Sequence, residues 1–316
     1  MADPTQKGGG AAAREDDAAE PSAPARPRAL APGLHFIATP IGAADDITLR
    51  SLAALRQADA LACEDTRSFR RLLDLHGVSL AGRPLIAYHD HNAESARPKI
   101  LARLAAGESV VYAAEAGTPL IADPGFKLAA AARGAGAAVS ALPGPSAAIT
   151  ALILSGMPTD AFAFIGFLPA KPAARRRVLA RWRDAPASLV LFEAPHRLPE
   201  SLADMAEEFG ADRPAALARE LTKRHEEIAR GALSALAARF ADEGPPKGEL
   251  AIVIAPPAPK EIDEREIEAR LAPLLATESV KDAVRTVVER LGAPRKMVYA
   301  VALKMTRDKH PSPDHS

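Results

Sequence analysis

Five short apolar runs in the first half of the chain each break on a polar or Gly/Pro-rich cluster. Residues 34–38 break on Thr39-Pro40-Ile41-Gly42, residues 60–63 on Glu64-Asp65-Thr66-Arg67, and residues 84–88 on His89-Asp90-His91-Asn92. Residues 109–114 run into Glu115-Ala116-Gly117-Thr118-Pro119, and residues 139–142 into Pro143-Gly144-Pro145-Ser146. Each run has the length of a strand. Between them apolar residues recur at helical spacing, as at Leu49, Leu52 and Leu55, or at Leu72, Leu73 and Leu75 before Gly77. Strands that alternate with helices predict a mostly parallel sheet covered on both faces. The carboxyl ends of such strands open on one crevice, where α/β proteins bind small ligands. The stretch 109–125 has the most pronounced break, with Gly117-Thr118-Pro119 followed by Asp123-Pro124-Gly125. Glycine admits backbone conformations closed to other residues, and proline stiffens the chain around it, so the loop can turn its peptide groups toward a ligand. Alone, such a turn is more often a plain strand-to-helix connection.

Beyond Pro158 the pattern loosens. Strands are expected near 162–168, 189–192, 214–218, 226–229 and 249–254, with a helix around Leu236, as in a second α/β domain with a more mixed sheet. Pro256-Pro257-Ala258-Pro259 reads as a linker. Three helices are expected after it, at 262–275, 280–291 and 297–303, the last two joined by Gly292-Ala293-Pro294 as in a helix-turn-helix. Residues 1–31 are Ala, Pro, Gly and charge with almost nothing to bury, which predicts a disordered tail without the apolar block of a signal peptide.

Several chemistries are argued against. The chain has no G-x-x-x-x-G-K-[ST] loop, no G-x-G-x-x-G after a strand, no His-x-x-x-His helix and no G-x-S-x-G elbow. The glycine/proline loops carry little positive charge, which suits a ligand of low net charge with an adenine-like part. Cys63 is the only cysteine, so neither an internal disulfide nor a cysteine zinc site can form, and no metal site is expected. That composition fits a reducing, cytoplasmic setting. No apolar run approaches the roughly 20 residues of a membrane span.

Forty basic residues balance forty acidic ones, so nucleic-acid contact would have to come from a local patch. Lys171, Arg175, Arg176, Arg177, Arg181 and Arg183 form one, with no acid until Asp184. On one short helix they would track a phosphate backbone or, equally, make a solvated face. Trp182 within it would stack on a base or, more often for a lone tryptophan, join the core. Lys281, Arg285, Arg290, Arg295 and Lys296 give the C-terminal helices a second basic group.

Eight blocks now stand in one order: Thr39–Gly42, Glu64–Arg67, His89–Asn92, Ala116–Gly125, Leu142–Ala147, Gly166–Lys171, Glu193–Arg197 and Arg219–Lys223. Together they resemble the 16S rRNA ribose methyltransferases of the tetrapyrrole methylase superfamily, over about residues 33 to 305. The resemblance implies two α/β domains, 32–144 and 145–258, with the cofactor cleft between them and a helical extension at 259–316. It implies S-adenosyl-L-methionine as methyl donor and, as acceptor, a cytidine 2′-hydroxyl in the decoding region of 16S rRNA, within the assembled 30S subunit. A homodimer is implied as well. By the same likeness Pro40, Gly42, Glu115, Gly117, Thr118, Ile121, Ser146, Ala147 and Phe192 line the cofactor. Two positions depart from the pattern: Ala43 stands where asparagine is usual, and Glu115 where aspartate is usual. The fold also serves methylation of corrinoid-like small molecules, and a non-catalytic ribosome-binding factor could keep it. The basic run and the extra helices favour RNA.

A ribose hydroxyl is a poor nucleophile, so a base or strong acceptor would help. Glu64, Asp65, His89, Asp90, His91, Glu193 and Glu220 sit at strand ends that could converge, although Glu64-Asp65 would equally cap a helix starting at Thr66. Arg67, Arg197, Arg219 and Lys223 suit phosphate or carboxylate binding, or ion pairs with the adjacent acids. With Lys171, Arg175 and Arg176, the residues Arg67, Arg197 and Lys223 are the expected RNA contacts.

Overall fold

The computed structural model describes residues 30–121, 125–258 and 263–309. The tail before Leu30, the Asp123-Pro124 turn, Pro259 and the expected helix start at Ile262 lie outside the described residues.

The first lobe alternates as its sequence requires: β1 (Gly33–Ile37), α1 (Leu49–Gln57), β2 (Ala60–Cys63), α2 (Thr66–Leu75), β3 (Leu85–Ala87), α3 (Ala93–Ala105), β4 (Ser109–Ala113), α4 (Gly125–Gly134) and β5 (Val139–Leu142). Its strands pair in the order β3-β2-β4-β1-β5, every pair parallel. Successive side chains of a strand point to opposite faces, and the core divides accordingly. Leu34, Phe36, Ala60, Ala62, Val110 and Tyr112 pack on one face with Ile100 and Leu128. Ile37, Leu61, Cys63, Val111 and Ala113 pack on the other with Leu55 and Leu73. Burial on both faces is why these strands read as continuous apolar runs rather than alternating ones.

After β5 comes α5 (Ala147–Ser155), a helix whose sequence, AAITALILS, has neither charge nor a polar face. It buries Ala148, Ala151 and Leu152 against Val190, Ala218 and Val253 of the second sheet. The second lobe continues with β6 (Phe162–Phe167), α6 (Pro172–Trp182), β7 (Ser188–Glu193), α7 (Leu198–Phe209), β8 (Pro214–Arg219), β9 (Glu227–Ala232), α8 (Leu233–Glu243) and β10 (Leu250–Ile254). The order is β6-β7-β10-β8-β9; only β6 and β7 run parallel, so the sheet is mixed. Leu179, Leu202, Leu236 and Phe240 cover the face opposite α5.

Three helices close the chain: α9 (Glu264–Leu274), α10 (Val280–Leu291) and α11 (Arg295–Lys309). Asp263 caps α9 and Ser279 caps α10, each accepting from a backbone N–H two or three residues on. Ile267, Leu271, Val284, Val287, Val298 and Val301 form a core of their own. Among the described residues, no helix is long and apolar enough to cross a membrane.

Candidate active site

Three loops at the carboxyl edge of the first sheet are tied together. Thr39 and Gly117 exchange two backbone hydrogen bonds of 3.0 Å, which joins the loop after β1 to the loop after β4. Gly117 takes φ +74°, and a side chain there would meet Ile41 Cγ2 at 3.2 Å. Thr118 Oγ1 donates to the Pro145 carbonyl at 2.9 Å, which brings in the loop after β5. These loops form one wall of a cavity of about 390 Å³ between the two sheets. The opposite wall belongs to the second lobe: Phe167, Phe192, Glu193, Ala218, Leu221 and Ala251. Phe192 is packed edge-on by Phe164 and Phe167, with centroids 4.9 and 5.6 Å apart. The walls are largely apolar with a few polar groups, the composition expected of a small-molecule site of this size.

Glu193 is 2 % exposed. Its Oε1 accepts from the Ala194 N–H (2.8 Å) and lies 3.3 Å from Arg197 Nε; its Oε2 accepts from Ser201 Oγ at 2.6 Å. Arg197 also donates to the Leu168 carbonyl at 2.5 Å. Both carboxylate oxygens are therefore occupied by donors. The pair braces the ends of β6 and β7 beneath Phe167 and Phe192.

A latch joins the two walls. The Ala43 N–H donates to Thr222 Oγ1 at 3.0 Å. Gly42 faces the same loop, and a Cβ there would lie 2.5 Å from Thr222 Oγ1 and 2.7 Å from the Leu221 carbonyl. The loop is strained on its own side. Glu220 has φ +50° and Thr222 φ +62°, a region that β-branched residues rarely occupy. Lys223 Nζ donates to Glu220 Oε1 (2.8 Å) and Glu249 Oε2 (3.1 Å). The Lys223 hydrogen bond, followed by one from the Glu249 backbone, holds the Glu220 carboxyl below its usual range. For Lys223, desolvation acts downward, but the bonds to Glu220 and Glu249 outweigh it and its pKa is raised.

The expected cofactor residues separate on this geometry. Gly117, Thr118, Ile121, Ser146, Ala147 and Phe192 line the cavity. Pro40, Gly42 and Glu115 do not: Ile41 turns inward in their place, Gly42 lies against the Thr222 loop, and Glu115 is exposed. Phe167, Leu221 and the stretch Gly248–Ala251 line it without having been expected. Phe167 and Leu221 lie inside recognised blocks, whereas Gly248–Ala251 carries no motif.

The acidic and imidazole candidates are spread along the sheet edge. Glu64, Asp65 and Arg67 follow β2; His89, Asp90 and His91 follow β3. They lie one and two strands beyond β4, at about 5 Å per strand, outside the cavity lining. Asp65 caps α2 through the Arg67 N–H at 2.8 Å. Among the described residues, buried Nδ1 of His89 has no hydrogen-bond partner. Glu220 is committed to Lys223 and the Glu249 N–H.

The basic run is corrected most strongly. Arg175 is 2 % exposed and donates to Asp204 at 2.6 Å, so it is unavailable to a phosphate. Arg176 binds Asp204 and Glu207, and Arg183 binds Glu208. The run itself held no acid, but α7, packed alongside, supplies four: Glu200, Asp204, Glu207 and Glu208. Arg197 and Lys223 are likewise ion-paired. Trp182 packs against the core. Lys171, Arg177 and Arg181 remain exposed, and Arg67 has 93 % of its side chain in solvent. Among the described residues no cluster of His, Cys, Asp and Glu is placed to hold a metal.

Residues 33–237 match the family model described as Tetrapyrrole (Corrin/Porphyrin) Methylases. The chain belongs to that family. Residues 261–306 match a second model, the RsmI C-terminal HTH domain. A Mesorhizobium japonicum protein named Ribosomal RNA small subunit methyltransferase I is 44 % identical over 282 residues, covering 89 % of this chain and 94 % of that protein. Proteins of the same name from Micromonospora olivasterospora and Xylella fastidiosa are 45 % and 44 % identical. The first covers 84 % of this chain and 85 % of its own length, the second 84 % and 97 %. Among solved structures, a cobalt precorrin-4 methyltransferase of cobalamin biosynthesis superposes with TM-score 0.53 at 19 % identity, over 70 % of this chain and 94 % of that one. A diphthine synthase gives TM-score 0.55 at 19 % identity, over 70 % and 90 %. At that identity the likeness shows the fold alone. The chain is a methyltransferase of the tetrapyrrole methylase fold, with kinship to rRNA-modifying relatives over most of its length.

Proposed function

We propose that this methyltransferase uses S-adenosyl-L-methionine to methylate the ribose 2′-hydroxyl of a cytidine in the decoding region of 16S rRNA. Its substrate in this reading is the assembled 30S subunit, and it works as a cytoplasmic homodimer. The observation that carries the reading is the cavity between two lobes in a chain 44 % identical, across 89 % of its length, to a protein named for small-subunit rRNA methylation. Residues 32–144 and 145–258 act as the two lobes, and 259–316 as an added domain.

The cavity suits the donor. Gly117 leaves a backbone gap facing Ile41, Thr118 and Ser146 supply hydroxyls, and Phe192 offers a ring for a flat base. The donor brings an activated methyl group on sulfur, so the protein's task is placement and proton removal. Gly117, Thr118, Ser146, Ala147 and Phe192 hold the donor. The exposed edge beyond β4 receives the acceptor ribose, with Lys171 and Arg67, the latter 93 % exposed and only loosely paired with Asp65 at 3.9 Å, available for its phosphates. In-line transfer requires the ribose oxygen at about 3 Å from the methyl carbon. In this reading the base is His89, whose Nδ1 is unpartnered, rather than Glu193, whose two oxygens both accept hydrogen bonds, or Glu220, whose Oε1 accepts from Lys223 and from the Glu249 N–H. Asp65 positions α2, and Glu64 and Asp90 flank the acceptor.

The test uses small subunits from a strain lacking the gene, incubated with the protein and labelled donor, and maps ribose methylation by protection from alkaline hydrolysis. One protected cytidine in the decoding region is expected, with His89→Ala lowering the rate but not donor affinity. Label in a small molecule and never in rRNA would overturn the reading.

A further inference from the structure

The C-terminal bundle has a face that its own core does not use. α11 buries Val298, Val301 and Ala302 against α9 and α10. On the opposite side Lys296, Tyr299, Ala300, Leu303 and Arg307 are exposed, Tyr299 by 47 % and Leu303 by 37 %. From Arg295 to Arg307 the helix carries Arg295, Lys296, Lys304 and Arg307 and no acid. Lys304 turns back toward Glu264 and Glu268 of α9, at 3.9 and 3.8 Å. Arg295, Lys296 and Arg307 form no ion pair with described residues, and neither does Arg290 at the end of α10. Arg285 of α10 is paired with Asp282 at 3.0 Å, and Glu289 is exposed beside Arg290. The bundle's acids lie on α9, on α10 (Asp282, Glu289) and at the end of α11 (Asp308), so the first twelve residues of α11 up to Thr306 carry cations only.

An exposed tyrosine ring framed by cations from Arg295 to Arg307, about 18 Å of helix (12 steps of 1.5 Å), matches what single-stranded RNA requires. Cations take the backbone phosphates, and the ring takes the face of an unpaired base.

We propose that the outward face of α11 is a second rRNA contact, apart from the cavity. An unpaired base stacks on Tyr299, and Arg295, Lys296 and Arg307 hold flanking phosphates. This rests on the rRNA reading above. Because the face lies outside the reacting site, it governs capture of the substrate and not the transfer step.

The experiment uses the full-length protein with Tyr299→Ala, Tyr299→Phe and Lys296→Glu, 30S subunits lacking the modification, and calorimetry with S-adenosylmethionine. Tyr299→Ala should raise KM for subunits roughly 5- to 150-fold, the range of one base–aromatic stack. Its kcat and donor affinity should stay at wild-type values, and Tyr299→Phe should restore KM. Lys296→Glu should flatten the dependence of log affinity on log salt by about 0.7 or more. Unchanged KM and salt slope in folded, active variants would overturn the proposal. So would a change in oligomeric state by sedimentation without a change in KM, which would make the face a protein contact. If wild-type protein methylates no rRNA, the rRNA reading itself falls, and this inference with it.

Discussion

Gly42→Ala tests whether the latch between the lobes shapes the cavity. The added methyl would lie 2.5 Å from Thr222 Oγ1, 2.6 Å from Lys223 Cγ and 2.7 Å from the Leu221 carbonyl oxygen. Lys223 can swing away, but Leu221 O is backbone, and ordinary contact begins at 3.4 Å. One loop must therefore retreat by about 0.7 Å, the difference between those two distances. Glu220 and Thr222 already sit at positive φ, so the second-lobe loop has little freedom to yield without refolding. Overpacking of this kind costs about 1–3 kcal/mol. Loss of the Ala43–Thr222 hydrogen bond adds about 1 kcal/mol. A total of about 2–4 kcal/mol corresponds to a fall in Tm of roughly 5–12 °C for domains of this size. Ile41 and Leu221 flank the latch and line the cavity, so donor affinity should fall at least about tenfold, the equivalent of 1.4 kcal/mol. The assay is thermal melting with calorimetric titration of S-adenosylmethionine. Gly134→Ala is the control: a Cβ there meets nothing within 4 Å, so melting and affinity should be unchanged or slightly improved. Gly42→Ala with wild-type stability and affinity would refute the latch.

Other outcomes derive from the same geometry. Asp204→Ala leaves buried Arg175 with only the longer contact to Glu200 at 3.7 Å and should cost about 3–5 kcal/mol in denaturant unfolding, where an RNA-binding role for Arg175 would leave stability intact. Burial pushes the Cys63 thiol up to about 12, so at pH 8 it should resist a thiolate-specific reagent in folded protein and react fully once unfolded. Glu220 has its folded pKa depressed below the ordinary 4.5, so its contribution is present above pH 4.5 and is lost as pH falls through the folded value. Glu220→Gln should therefore flatten the acid limb of the stability profile below about pH 4.5, as read by denaturant melts across pH.

Much of the fold was legible because its signals are local. The parallel first sheet follows from apolar runs such as 60–63 and 109–113, each buried on both faces and each followed by a helix. The loop residues Gly117, Thr118, Ser146 and Ala147 were legible through motif and chain punctuation. What escaped the sequence depends on partners distant in the chain. α5 has no polar face to mark it as a helix, since its surroundings come from a sheet formed up to a hundred residues later. The basic run looked free because Asp204, Glu207 and Glu208 lie on the next helix, about thirty residues away. Gly42 carried a motif whose physical reason, close approach to Leu221, spans 179 residues from Ala43 to Thr222. Gly248–Ala251 enters the cavity wall only because β10 sits between β7 and β8.

The most direct measurement is a crystal structure of the protein soaked with S-adenosylmethionine. The donor should occupy the space between Gly117-Thr118 and Phe192, with its methyl directed toward the edge that carries Glu64 and His89. Density for the donor at any other place, or a methyl directed into the second lobe, would contradict the assignment.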